Sequence, residues 1–173
     1  MGRGSLLTLH RLPLGYRVLY SGVLAFIVLG YGVGIVQQML RSGIGPAGMA
    51  HWFLGNADVA EPAHLLFPMA PARLLDEVWR LSLADVLPTV VLLALLGRSD
   101  LSPAAGGLLS GTLVLAALTD LAAPALVAGG GAGLGWAAAA ARLGLAASAL
   151  VGAGVCMRDM WLRPRSGPRF RRP

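Results

Sequence analysis

Four long apolar runs divide the chain, and glycine, proline or charge separates each from the next. The first is VLYSGVLAFIVLGYGVGIV, residues 18–36, bounded by Arg17 before it and by Gln37, Gln38 and Arg41 after it. The second opens at Pro71, a residue well suited to a first helical turn. Its first two turns are amphipathic, and its membrane-embedded part spans residues 78–97. The polar break GRSDLSP precedes the third run, residues 104–127, and a glycine-rich turn precedes the fourth, residues 134–156. A bilayer core is crossed by ~20 helical residues, and backbone groups in hydrocarbon must pair within their own segment. The pattern therefore predicts an all-α, integral membrane four-helix bundle. The first run exceeds the core of a secretory signal and lacks a small-x-small cleavage site after it, so it reads as a retained span.

Between the first two spans lies a long loop, residues 37–77, which includes the start of helix two. Its segment GPAGMAHWFLGN is short, aromatic and bounded by turn residues. It predicts a short helix lying on the membrane surface, with Trp52 and Phe53 at headgroup level. Trp161, after the fourth run, is expected at the other interface.

Composition sharpens this picture. Of the 173 residues, 56% are hydrophobic and 13% are charged, about half the charged share of a soluble domain. All fourteen basic residues are arginine and the formal net charge is +6. Their placement predicts orientation. Residues 1–17, the second loop and residues 157–173 hold Arg3, Arg11, Arg17, Arg98 and the six arginines from Arg158 to Arg172. The opposite side holds Arg41, Arg73 and Arg80, outnumbered by Asp58, Glu61, Asp76 and Glu77. Both termini are thus expected in the cytoplasm (N-in/C-in), with the long loop outside, in a bacterial inner membrane. The tail reads as a topology determinant that touches anionic lipid headgroups; no nucleic-acid module accompanies it. The single Cys156 excludes an internal disulfide.

Three charges fall where lipid or protein should be apolar. Asp120 and Arg142 lie eleven residues before and after Gly131, the centre of the turn between helices three and four. In an antiparallel hairpin, equal distance from the turn is equal depth, here ~16 Å by helical rise. An unpaired charge at that depth costs about 2.5–3.5 kcal/mol on insertion scales. An intramembrane ion pair of Asp120 with Arg142 is expected, with Asp85 of helix two as a third member within ~7.5 Å of the same height. Each aspartate also precedes a proline, Pro88 or Pro124, that withholds an N–H from its helix. One reading of the cluster is structural, fixing helix order and register. The other is a proton or ion relay or a polar binding site.

Helix four carries Ala140, Gly144, Ser148, Gly152 and Cys156 at four-residue spacing, and helix one carries Gly30 and Gly34. Small residues so spaced allow close helix approach. The stripe on helix four points away from Arg142, toward helix one or a partner protein.

None of the spans holds a histidine; His51 and His64 are in the outer loop and His10 is before helix one. A bis-histidine haem needs ligands on facing helices. No Ser/His/Asp pattern, HExxH or P-loop is present, so no catalysis and no metal or cofactor site is expected. The run HWFLGNADVAEPAHLLFPMAPARLLDEVWRLSLADVLP, residues 51–88, resembles a set of uncharacterised small inner-membrane proteins of bacteria, some associated with cytochrome-containing electron-transfer gene clusters. WFLGN and LLDEV carry the resemblance, while two histidine positions of that set are occupied by Arg80 and Ser82. The resemblance implies an accessory role near a redox or energy-transducing complex, and by its histidines raises haem as a cofactor. The expected function is thus a non-catalytic accessory subunit whose partners are the bilayer and other membrane subunits. The alternatives are a small transporter or ion conductor using Asp85, Asp120 and Arg142, and a haem-binding electron carrier.

Overall fold

A computed structural model describes residues 8–41, 43, 45–57 and 65–162. Among the described residues the regular structure is entirely helical. Helix α1 spans Leu14–Arg41, α2 Pro46–Leu54, α3 Pro71–Leu81, α4 Leu87–Leu96, α5 Pro103–Gly130 and α6 Gly135–Trp161. A π-helical turn, Ser82–Val86, joins α3 to α4, so the two form one long rod. Short 3₁₀ turns occupy Leu9–Arg11 and Ala132–Leu134. Four helices are long and apolar enough to cross a membrane: α1, the α3–α4 rod, α5, and α6 with the 3₁₀ turn before it. Helix boundaries overrun the apolar runs. Helix α1 continues past Val36 to Arg41, and α6 continues past Cys156 to Trp161.

Local chemistry sets these limits. Prolines stand in the first turns of α2, α3 and α5, where a missing N–H leaves no bond unmade. The Ser102 side chain caps α5 by accepting from the Ala105 N–H. Gly131 ends α5 at φ 79°, a conformation that glycine adopts without strain and that lets α6 fold back alongside.

Helix α6 is the hub, in contact with α1, α2, α4 and α5. Leu92, Leu113, Leu145 and Met160, all fully enclosed, centre the main core with Leu24, Ile27 and Tyr31 of α1. Above it, at the α5–α6 turn, a second cluster joins Met49, Ala50 and Phe53 of α2 to Ala123, Val127, Ala138 and Ala139. Here the surface-helix expectation is corrected in part. Phe53 is only 4% exposed, because Met49 and Phe53 share one face of α2 and that face rests on the turn. Trp52 is half-buried at the rim, with the Arg41 guanidinium 5.5 Å from its ring centroid. At the other end Trp161 is exposed and donates from Nε1 to Ser21 Oγ at 2.9 Å, linking α6 to α1.

The small-residue stripe of α6 does not serve α1. A Cβ on Gly144 would be 3.8 Å from Ala116 of α5, and one on Gly152 would be 3.2–3.4 Å from Leu92 and Leu96 of α4. Ala140 is exposed, whereas Ser148 and Cys156 are buried. Four-residue spacing drifts ~40° per step on a 3.6-residue helix. The stripe therefore winds from the surface past α5 and onto α4. Gly30 and Gly34 on α1 approach no neighbour at all, with open space within 4 Å of each.

Candidate functional site

The half of the bundle nearer the α5–α6 turn holds a cluster of buried charges. Asp120 projects from the middle of α5 with 1% exposure, Asp85 from the π-turn with 4%, and Arg142 from the second turn region of α6, partly buried. Arg142 Nη2 lies 3.0 Å from Asp120 Oδ2, and Nη1 lies 3.5 Å from Asp85 Oδ2. One guanidinium thus touches carboxylates from two other spans. Three of the four spans converge at this point.

Alignment differs from proximity. The Arg142–Asp85 contact meets hydrogen-bond geometry, at its long limit. The closer Arg142–Asp120 contact does not, and both Asp120 oxygens are enclosed without a hydrogen-bond donor. Asp120 is therefore held by charge rather than by directed hydrogen bonds.

Two backbone features build the site. The π-turn inserts an extra residue into the helical register, rotating the faces of α3 by about 100° relative to those of α4. Pro88, just after the turn, removes a donor that the preceding carbonyls would otherwise use. Tyr31 of α1 reaches the rod at the adjoining residue. Its hydroxyl donates to the Asp85 main-chain carbonyl at 3.3 Å and lies 3.4 Å from Thr89 Oγ1. Tyr31 thereby ties the fourth span to the cluster, although α1 makes no extended backbone contact with α3 or α4. Sequence reading missed this residue. A tyrosine in an apolar run carries no charge to draw attention.

Between α1 and the rod lies a cavity of about 220 Å³, bordered by Tyr31, Gln37, Arg80, Asp85 and Arg142, with Gly30 and Gly34 on its α1 wall. The two glycines expected to pack helices instead leave this space open.

At the opposite end of the bundle a third buried acid, also missed, organises the loops. Asp159 is 1% exposed; its Oδ2 accepts the Asp100 N–H at 2.8 Å, and Arg158 lies 3.5 Å from Oδ1. Arg17 is buried too, donating from Nε to the Leu12 carbonyl at 2.9 Å and from Nη2 to that of His10. These groups close chain turns and do not continue the Asp85–Asp120–Arg142 cluster. Among the described residues no group of three or more metal-ligating side chains gathers. His51 sits half-buried on α2, while His64 and the arginines from Arg163 onward fall outside the described residues. No family model, curated protein or solved structure matches the chain.

Proposed function

We propose that this chain is a non-catalytic, multi-pass protein of a bacterial cytoplasmic membrane, N-in and C-in, serving as an accessory subunit of a larger membrane complex. The observation that supports it is the exposure of α1. Only 11% of the most apolar stretch of α1 is buried inside the molecule, against 39% for α5 and for the α6 span. Its outer half, from Gly32 onward, contributes no buried residue. A helix held mainly by Leu24, Ile27, Tyr31 and the Trp161 bond leaves a long face for a neighbouring protein. The charge cluster fits the same role, since it joins three spans of one chain and its charges oppose one another. The resemblance of residues 51–88 to small proteins of electron-transfer clusters points to such a complex as the partner. Gentle solubilisation followed by native electrophoresis is expected to show the chain in a stoichiometric assembly several times its own mass. Migration as a lone small particle, at every detergent concentration that preserves the fold, would remove the basis for this role.

A further inference from the structure

The α2 end of the bundle contains a second, larger cavity, about 630 Å³, lined in part by residues 65–69 ahead of α3. Its polar wall is Arg41, Arg73, Glu77 and Arg80, and its aromatic wall is Trp52 and Phe67. The charges do not balance. Glu77 pairs with Arg80, with contacts of 2.5 and 3.0 Å. Among the described residues, Arg41 and Arg73 have no carboxylate within ion-pair distance. Three guanidinium groups around one carboxylate repel one another and raise the local affinity for an anion.

The surroundings indicate what kind of anion. Leu40 and Phe67 line the cavity yet are 72% and 73% exposed, so its rim is apolar. Arg80 also lines the 220 Å³ cavity below, which runs between α1 and the rod beside exposed Phe26 and Val33. An inward-leading gap with lipid-facing apolar edges, beneath a cluster of arginines, has the layout of a site for an amphiphile. Guanidinium forks match phosphate oxygens in pairs. We infer that the larger cavity binds the phosphate headgroup of an anionic lipid, held by Arg41, Arg73 and Arg80, with its chain lying along the open face of α1. The headgroup site does not require a partner protein, and its lipid chain would occupy part of the α1 face on which the accessory role also draws.

The test uses the full chain in a neutral detergent, with Trp79, Trp136 and Trp161 replaced by phenylalanine so that Trp52 alone reports. Lipid bound at the arginine-rich C-terminal tail is then silent. Titration with short-chain phosphatidic acid is expected to give a saturable change in Trp52 emission. Arg73→Gln should weaken it about tenfold or more, the loss of one charge-assisted contact, and Arg98→Gln at the opposite end should leave it unchanged. Equal response to short-chain phosphatidylcholine would overturn the anion selectivity. An equal midpoint for inorganic phosphate would overturn the lipid assignment, leaving a bare phosphate site. Should the tryptophan replacements unfold the chain, native mass spectrometry of the otherwise unaltered protein decides the matter instead. One phosphatidic acid adduct should survive in the parent chain and in Arg98→Gln and be lost in Arg73→Gln; its retention in all three would sink the proposal.

Discussion

Arg142 is the residue on which the charge cluster turns, because among the described residues it alone forms ion pairs with both Asp85 and Asp120. Removing a partner from a buried pair is costly, about 3–5 kcal/mol, since the charge left behind has neither water nor counter-ion. Asp85 and Asp120 differ in what they would lose. Among the described residues the Asp85 carboxylate accepts a hydrogen bond from Arg142, whereas Asp120 has no hydrogen-bond donor and is held chiefly by the guanidinium charge 3.0 Å away. Arg142→Met is therefore expected to lower thermal stability in detergent by about that amount. Combining it with Asp85→Asn and Asp120→Asn should recover most of the loss, because no uncompensated charge remains. Equal melting points for the single and triple variants would show that the cluster contributes nothing to the architecture. The sequence made Asp120 and Arg142 visible through a simple measure, their equal separation from Gly131. It was silent on the facing of Asp85, which depends on a π-turn that no residue pattern announces. It was silent also on Tyr31, whose partner is a main-chain carbonyl.

Among the elements, the packing of α2 and α6 shows how little a small-residue pattern says by itself. Glycines on α1 look like a contact motif and make no contact, whereas Gly135, outside any such motif, makes the tightest one. A Cβ at Gly135 would strike the Pro46 main-chain carbonyl and lie 3.1 Å from Ala50 Cβ. Backbone cannot yield as a side chain can, so α2 would have to lift from the α5–α6 turn. Gly135→Ala is expected to destabilise the protein by about 1–3 kcal/mol, the range of overpacking. Gly30→Ala, within α1 and pointing into open space, should not destabilise the protein and should stabilise it by up to about 1 kcal/mol. Chemical denaturation of both variants in the same detergent compares them directly. A reversed order would mean that α1 lies against another helix at Gly30 and that α2 does not rest on Gly135. The four long helices themselves were legible, because hydrocarbon thickness imposes a length that a sequence must display. The surfaces they pack against were not, because glycine marks a close approach and an open gap equally well.

At the scale of the whole molecule, antiparallel order follows from the contacts that close each end. Asp159 and Trp161 meet Asp100 and Ser21 at one end. Gly135 meets Pro46, and Met69 N–H bonds the Phe53 carbonyl, at the other. Residues near Gly97 and near Ala57 must therefore lie on opposite sides of any membrane the bundle crosses. Arginine counts favour the Gly97 side as cytoplasmic, and that bias acts during insertion, before any tertiary contact exists. It is tested by single cysteines in a Cys156→Ala background, since Cys156 is enclosed and its loss leaves no competing thiol. Ala57 and Gly97 are both exposed, and Gly97 has an ordinary helical φ of −62°, so a side chain fits at each. In intact cells Ala57→Cys should react with a membrane-impermeant thiol reagent and Gly97→Cys should not, until the membrane is permeabilised. The reverse labelling would turn the molecule over. Arg41, Arg73 and Arg80 would then stand with the cytoplasmic leaflet, and their cavity would draw its anionic lipid from that side. Reaction at both positions in intact cells would be incompatible with the α3–α4 rod crossing the bilayer.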